Sequence, residues 1–286
     1  MLIGLVPAAA PGAPTTYADI LARPPLKATR RIAYDIGPDQ FGDLWLPDGP
    51  GNHPVVVLIH GGCWQASLPG VELMNYAADD LRQRGFAVWN LEYRRLGDGG
   101  GYPDTFRDIA AGLDKLRTLA PEYRLDLKHV VLVGHSAGGA LALWAAARGH
   151  LPPKSPLLSI DPLPVAGVVT LGGIDDLRTY RRAGPDACGG PETIDALLRG
   201  HPLTADAFAD TSPAALLPIG APQTIVAGDA DLIVPPVFAA DYAAKAKAAG
   251  DSVGTVTLPD AGHFDLIDPL AAAWRRIEPL IAERAR

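Results

Sequence analysis

Val130-Val131-Leu132-Val133-Gly134-His135-Ser136-Ala137-Gly138-Gly139 joins a continuous apolar run to a helix-forming one, Leu141-Ala142-Leu143-Trp144-Ala145-Ala146. Its centre satisfies the pattern G-x-S-x-G. The pentapeptide alone is a weak signal, because small residues abound in this chain. Its setting gives it weight: a strand directly before and a helix directly after force a tight turn at Ser136. Such a turn crowds the backbone, so glycine is needed two positions before and two after, and the hydroxyl is held up at the end of a sheet. Ser136 is the candidate nucleophile. The plainer alternative is an N-cap serine with Ala137 opening the helix.

Outward from this turn, residues 55–59 form another continuous apolar run, as expected of a strand covered on both faces. Runs of the same kind follow at 86–91, 165–171, 224–227 and 253–258. Between them the apolar spacing is helical. Leu73, Ala77 and Leu81 recur every fourth residue, and Phe106, Ile109, Ala110, Leu113 and Leu116 make one stripe. Asp268-Pro269 predicts an N-cap followed by proline at the first helical position, with Leu270, Trp274, Ile277 and Ile281 as the buried face. Earlier, Ile32, Tyr34 and Ile36, then Leu44 and Leu46, predict half-buried antiparallel strands turning at Gly37-Pro38. Strands alternating with helices mean an α/β fold, a mostly parallel central sheet flanked by helices on both faces. No linker splits the body, so residues 26–286 read as one domain behind an N-terminal arm over 1–25. About fifty residues between two of the runs, near 174–218, are too long for a plain connection. They predict a lid insertion, with one helical patch at 193–198; an inert surface excursion is the alternative.

A serine hydroxyl needs a base to take its proton. Of the seven histidines, His53 and His150 read as surface residues, and His135 should point away from its neighbour Ser136. His60, His129 and His201 are further candidates. His263 lies between the last apolar run and the last helix, on a loop at a strand's carboxyl end, where a base can face the nucleophile. The orienting carboxylate belongs on another such loop between serine and histidine. Asp229 and Asp231 both qualify by spacing, with Asp175 or Asp176 a weaker third choice. After the first buried strand comes His60-Gly61-Gly62-Cys63-Trp64, whose glycines let backbone N–H groups turn inward. The N–H groups of Gly62, Cys63 and Ala137 are the candidate oxyanion hole. One such donor is typically worth about 3–4 kcal/mol of barrier. Trp64 is read as lining the substrate pocket, with core packing as the rival, and Glu92 as bonding the oxyanion loop or making a surface ion pair.

GHSAGG at 134–139, HGGCW at 60–64, GDADLIVP at 228–235 and GHFDL at 262–266 together resemble the α/β-hydrolase superfamily. Within it they are most similar to the esterase-like branch that includes kynurenine formamidases, whose oxyanion motif is HGGxW. The similarity covers roughly residues 40–283. It implies the second acid of the GDAD stretch, Asp231, rather than Asp229, and places Gly62 and Cys63 at the oxyanion. It also implies a cofactor-free serine hydrolase acting on small carboxylic esters or activated amides, an aryl formamide included, through an acyl-enzyme. Cys63 at the variable position and a lid that matches no pattern are departures, and they leave the substrate open.

Composition sets the outer bounds. The chain has 286 residues, 48% of them hydrophobic, with 25 Lys+Arg against 32 Asp+Glu for a net charge of −7. That balance argues against a nucleic-acid footprint or a polybasic membrane face, and no apolar stretch reaches the roughly 18 residues of a membrane span. The two cysteines, Cys63 and Cys188, read as no disulfide framework and no metal site; Cys63 is expected to be a passive oxyanion contributor rather than a reactive thiol. Gly97-Asp98-Gly99-Gly100-Gly101 is no nucleotide-binding fingerprint, and P-loop and HExxH motifs are missing. The expected partner is a small ester or amide, with no cofactor, no metal and no nucleic acid. A cytoplasmic protein is expected, or an exported one if the apolar start is the remnant of a signal peptide. A serine peptidase of the prolyl-oligopeptidase type and a non-catalytic binding protein of the same fold are the competing functions.

Overall fold

The computed structural model describes residues 12–202 and 206–285; the first eleven residues of the expected arm lie outside them. Eight strands form one sheet: β1 (Arg30–Ala33), β2 (Phe41–Trp45), β3 (His53–Ile59), β4 (Ala87–Leu91), β5 (Leu125–His135), β6 (Gly167–Leu171), β7 (Gln223–Gly228) and β8 (Val253–Leu258). Their order is β1-β2-β4-β3-β5-β6-β7-β8. β2 runs antiparallel to β1 and β4, and every pair from β4 to β8 is parallel.

The apolar runs explain this arrangement. Successive side chains of a strand face opposite sides. In β3, Val55, Val57 and Ile59 enter one core while Val56 and Leu58 enter the other; in β5, Val130 and Leu132 part from Val131 and Val133 in the same way. Each core needs helices to close it. On the first face lie α3 (Asp104–Asp114), α4 (Leu116–Tyr123), α5 (Ala137–Ala146) and α8 (Pro236–Ala248), represented there by Phe106, Leu119, Leu141 and Tyr242. The second face holds α1 (Tyr17–Leu21), α2 (Asn75–Gln83) and α9 (Trp274–Arg284), through Ile20, Leu81, Trp274 and Ile277. Burying an aliphatic or aromatic side chain of this kind contributes about 1.5–3 kcal/mol.

Four expectations change. The 253–258 run is not covered on both faces: β8 is the outer strand, and Gly254, Thr255 and Thr257 are exposed. The stripe from Phe106 to Leu116 belongs to two helices that divide at Lys115. The last helix starts at Trp274 rather than after Asp268, leaving Leu270 75% exposed. Asp268 opens only a turn: its carboxylate accepts the Leu270 N–H at 3.0 Å and its carbonyl the Ala271 N–H at 2.9 Å, while Arg23 bonds the same carboxylate at 2.6 and 2.7 Å. Finally, the 174–218 segment carries two helices, α6 (Leu177–Ala183) and α7 (Gly190–Leu197), instead of one patch. Leu177, Tyr180, Ile194 and Leu197 tie them to the first core. Residues 14–25 of the arm are docked on the body through α1, Thr15 and Arg23.

Candidate active site

Parallel strands deliver their following loops to one edge of the sheet, and the candidate residues meet there. Ser136 follows β5 with φ 55° and ψ −122°, a conformation that a non-glycine residue holds only under strain. The flanking glycines are required by space. A Cβ on Gly134 would lie 2.1 Å from the carbonyl oxygen of Gly138, and one on Gly138 would lie 2.1 Å from that of Ile59. Ser136 is 2% exposed. Its N–H donates to the Leu171 carbonyl at 3.0 Å, which fixes the turn to β6.

His263 stands after β8, and its Nδ1 is 2.6 Å from Oδ2 of Asp231. The other carboxylate oxygen of Asp231 accepts the N–H groups of Ile233 and Val234, both at 2.8 Å, so the side chain is held by its own loop. Asp229 is exposed and takes no part in this pair. Asp175, the weaker choice, is buried behind the site and accepts from Thr170 at 3.0 Å. Burial raises its carboxyl to about 7, although the Thr170 hydrogen bond opposes the shift. Gly172 was overlooked in the sequence. A Cβ there would lie 3.0 Å from Asp231 Oδ2 and 3.1 Å from His263 Nδ1, so only hydrogen leaves the pair its room. Its signal was the Gly-Gly pair directly after a buried run.

The 60–64 loop turns back beneath Ser136, with positive φ at Gly62 (96°), Cys63 (50°) and Trp64 (56°). Among the described residues nothing accepts the N–H of Gly62, Cys63 or Ala137. A buried network holds this loop. His60 sets Nε2 against Glu92 at 2.8 Å and Nδ1 against the Gly61 carbonyl at 2.8 Å, and its ring stacks on Tyr93. Glu92 also accepts from the N–H groups of Tyr93 and Val71. It bonds the 60–64 loop through His60 and is no surface ion pair. Burial pushes its carboxyl up, yet the charge and hydrogen bond of His60, then Arg95, outweigh that and hold it at about 2.

Three site readings need correction. Trp64 is wholly buried in the first core and does not line the cavity at Ser136. The two cysteines, expected to form no disulfide, do so: Cys63 is bonded to Cys188, 125 residues away, and so is no thiol. The linear spacing hid this pairing: the 174–218 segment folds back over the oxyanion loop. His135 does not point away. It shares the cavity with Ser136, packs 4.5 Å from the His263 ring, and places Nε2 3.2 Å from the His263 carbonyl. Its burial, and then the neighbouring charge of His263, drive its pKa well below the usual imidazole value.

Ser136, His135 and His263 open on a cavity of about 130 Å³, with Gly62 and Cys63 in its wall. Tyr17, Leu68, Leu73, Ile233 and Phe264 make much of the remaining wall, and among the described residues no Asp, Glu, Lys or Arg lines it. The sequence marks none of these five as a cavity residue, although Leu73 lies in a predicted helical stripe and Ile233 and Phe264 within the quoted motifs; only the cavity groups them. Among the described residues no three His, Cys, Asp or Glu converge as a metal would require, and no helix is long and apolar enough to cross a membrane. The arrangement offers a strained serine, a carboxylate-oriented imidazole and free backbone donors around a small apolar space.

The sequence profile of the BD-FAE family matches residues 43–245. A 20-hydroxy-prefusarin hydrolase of Gibberella moniliformis is 33% identical over 135 residues, which is 40% of this chain and 29% of that protein. A non-reducing polyketide synthase of Preussia isomera is 28% identical over 131 residues, 41% of this chain but only 5% of the synthase. The chain thus matches a minor part of each of these curated relatives. Among solved structures, esterase B of Lactobacillus rhamnosis superimposes with a TM-score of 0.78 at 21% identity, over 94% of this chain and 89% of that one. A thermophilic esterase of Thermogutta terrifontis gives 0.69 at 19% identity, covering 89% and 92%.

Proposed function

Because the chain belongs to the BD-FAE family and has the α/β-hydrolase fold, we propose that it is a serine hydrolase of small, uncharged carboxylic esters. The observation that carries this reading is the His263 Nδ1–Asp231 Oδ2 contact of 2.6 Å beside a cavity that Ser136 and His263 share.

In this reading Ser136 Oγ attacks the ester carbonyl carbon while His263 Nε2 takes its proton. Asp231 accepts the Nδ1–H, fixing the tautomer and stabilising the imidazolium. The carbonyl oxygen becomes an oxyanion and accepts from the N–H groups of Gly62, Cys63 and Ala137. His263 then protonates the leaving alcohol. Water, activated by the same imidazole, releases the acid from the acyl-enzyme and restores Ser136. The aryl formamide variant uses the same groups and rests on the HGGCW motif alone. The Cys63–Cys188 bond supports an exported protein over a cytoplasmic one, since disulfides persist in oxidising compartments.

Steady-state hydrolysis of p-nitrophenyl esters, with N-formylkynurenine alongside, tests the reading. Wild type should turn over short esters, and Ser136→Ala should abolish turnover. Asp231→Asn should cut kcat by about 10⁴-fold, with Asp229→Asn close to wild type. Equal losses at 229 and 231, or an active Ser136→Ala, would refute it.

A further inference from the structure

The helix α1 has only five residues, too few to persist alone. Its own cap is a local aid: Thr16 Oγ1 accepts the Asp19 N–H while the Asp19 carboxylate accepts the Thr16 N–H. What holds it is the loop that carries the base. Arg23 makes its two hydrogen bonds to Asp268, and the Thr15 N–H donates to Asp265 Oδ1 at 3.0 Å. The other oxygen of Asp265 accepts the N–H of Gly262, the residue before His263, at 2.8 Å. One carboxylate therefore clamps the N-terminal segment to the histidine loop. The fit is close, since a Cβ on Gly262 would lie 2.5 Å from Cβ of Pro14. On the far side Tyr76 donates to the Pro24 carbonyl at 2.7 Å, with Arg23 over its ring.

These ties place Tyr17 at the cavity mouth. Its ring meets Phe264 edge-on at 5.7 Å and lines the same space as Ser136, while 43% of the residue remains exposed. We propose that residues 14–24 form a fixed wall of the substrate cavity and that Tyr17 is a specificity-determining residue, limiting the acyl group to short, uncharged chains. This rests on the esterase reading above. A cavity of about 130 Å³, with no Asp, Glu, Lys or Arg among the described residues that line it, suits such an acyl group; in this proposal the phenol ring is the wall that a longer chain would meet.

The test compares kcat/KM for p-nitrophenyl acetate, butyrate and octanoate. Tyr17→Ala should raise the octanoate-to-acetate ratio by about tenfold, in the range that a few methylene contacts command. Tyr17→Phe should keep the wild-type ratio, because the ring and not the hydroxyl forms the wall. Arg23→Ala, which loosens the segment, should shift the ratio in the same direction as Tyr17→Ala. A merely structural defect would lower all three esters together. An unaltered ratio in Tyr17→Ala, with acetate still hydrolysed, would overturn the proposal. If wild type hydrolyses none of the esters, the functional reading has failed, and amide hydrogen exchange over 262–266 decides on the wall. Faster exchange in Tyr17→Ala and Arg23→Ala supports the wall, and unchanged exchange rejects it.

Discussion

Single residues beneath Ser136 hold more of the site's order than Ser136 itself does. Glu92 is the clearest case: a buried carboxylate that accepts from His60, Tyr93 and Val71, and so fixes the loop bearing Gly62 and Cys63. Its folded pKa of about 2 lies below the ordinary 4.5. A depressed carboxyl contributes stability that is present in full above pH 4.5 and is lost as pH falls through the folded value. Glu92→Gln should therefore lower stability by roughly 3 kcal/mol at neutral pH and flatten the wild-type decline between pH 4.5 and 2. Urea unfolding across that range checks it; parallel wild-type and variant curves would show that Glu92 is not held this way.

At the scale of elements, the same physics explains what the sequence discloses and what it conceals. Runs such as 55–59 identify buried strands because both faces must be apolar, and the glycines around Ser136 mark a turn that tolerates no side chain. Asp231 was separable from Asp229 only through the family resemblance, since spacing admits both. Features that depend on distant packing stayed hidden. β8 has the run of an inner strand but, among the described residues, no strand beyond it. Asp268 has the look of a helix cap and does accept the Leu270 N–H, but it caps only a turn, and its carboxylate also holds Arg23, 245 residues away. Cys63 and Cys188 meet only because the 174–218 segment returns to the 60–64 loop. That disulfide closes a 125-residue loop, for which the chain-entropy picture gives about 4–5 kcal/mol of stabilisation. Reduction, or Cys188→Ala, should lower the urea midpoint accordingly and reduce kcat by loosening Cys63. A midpoint unmoved by reductant would show that the bond contributes nothing to the fold.

For the whole molecule, the organising fact is that loops after β3, β5, β6, β7 and β8 share one edge of the sheet. From there His60–Trp64, Ser136, Gly172, Asp231 and His263 converge, although the chain separates the first from the last by most of its length. The rest of the fold serves that edge: α5 backs the serine turn, the disulfide brings the 174–218 segment over it, and the N-terminal segment closes the side next to His263. The most direct measurement is peptide mapping by mass spectrometry after treatment with a fluorophosphonate. The account predicts a single stoichiometric adduct on Ser136 in the folded wild-type protein, lost in His263→Ala and in urea. A folded protein that stays unlabelled at Ser136, or carries its adduct on another serine, would contradict it.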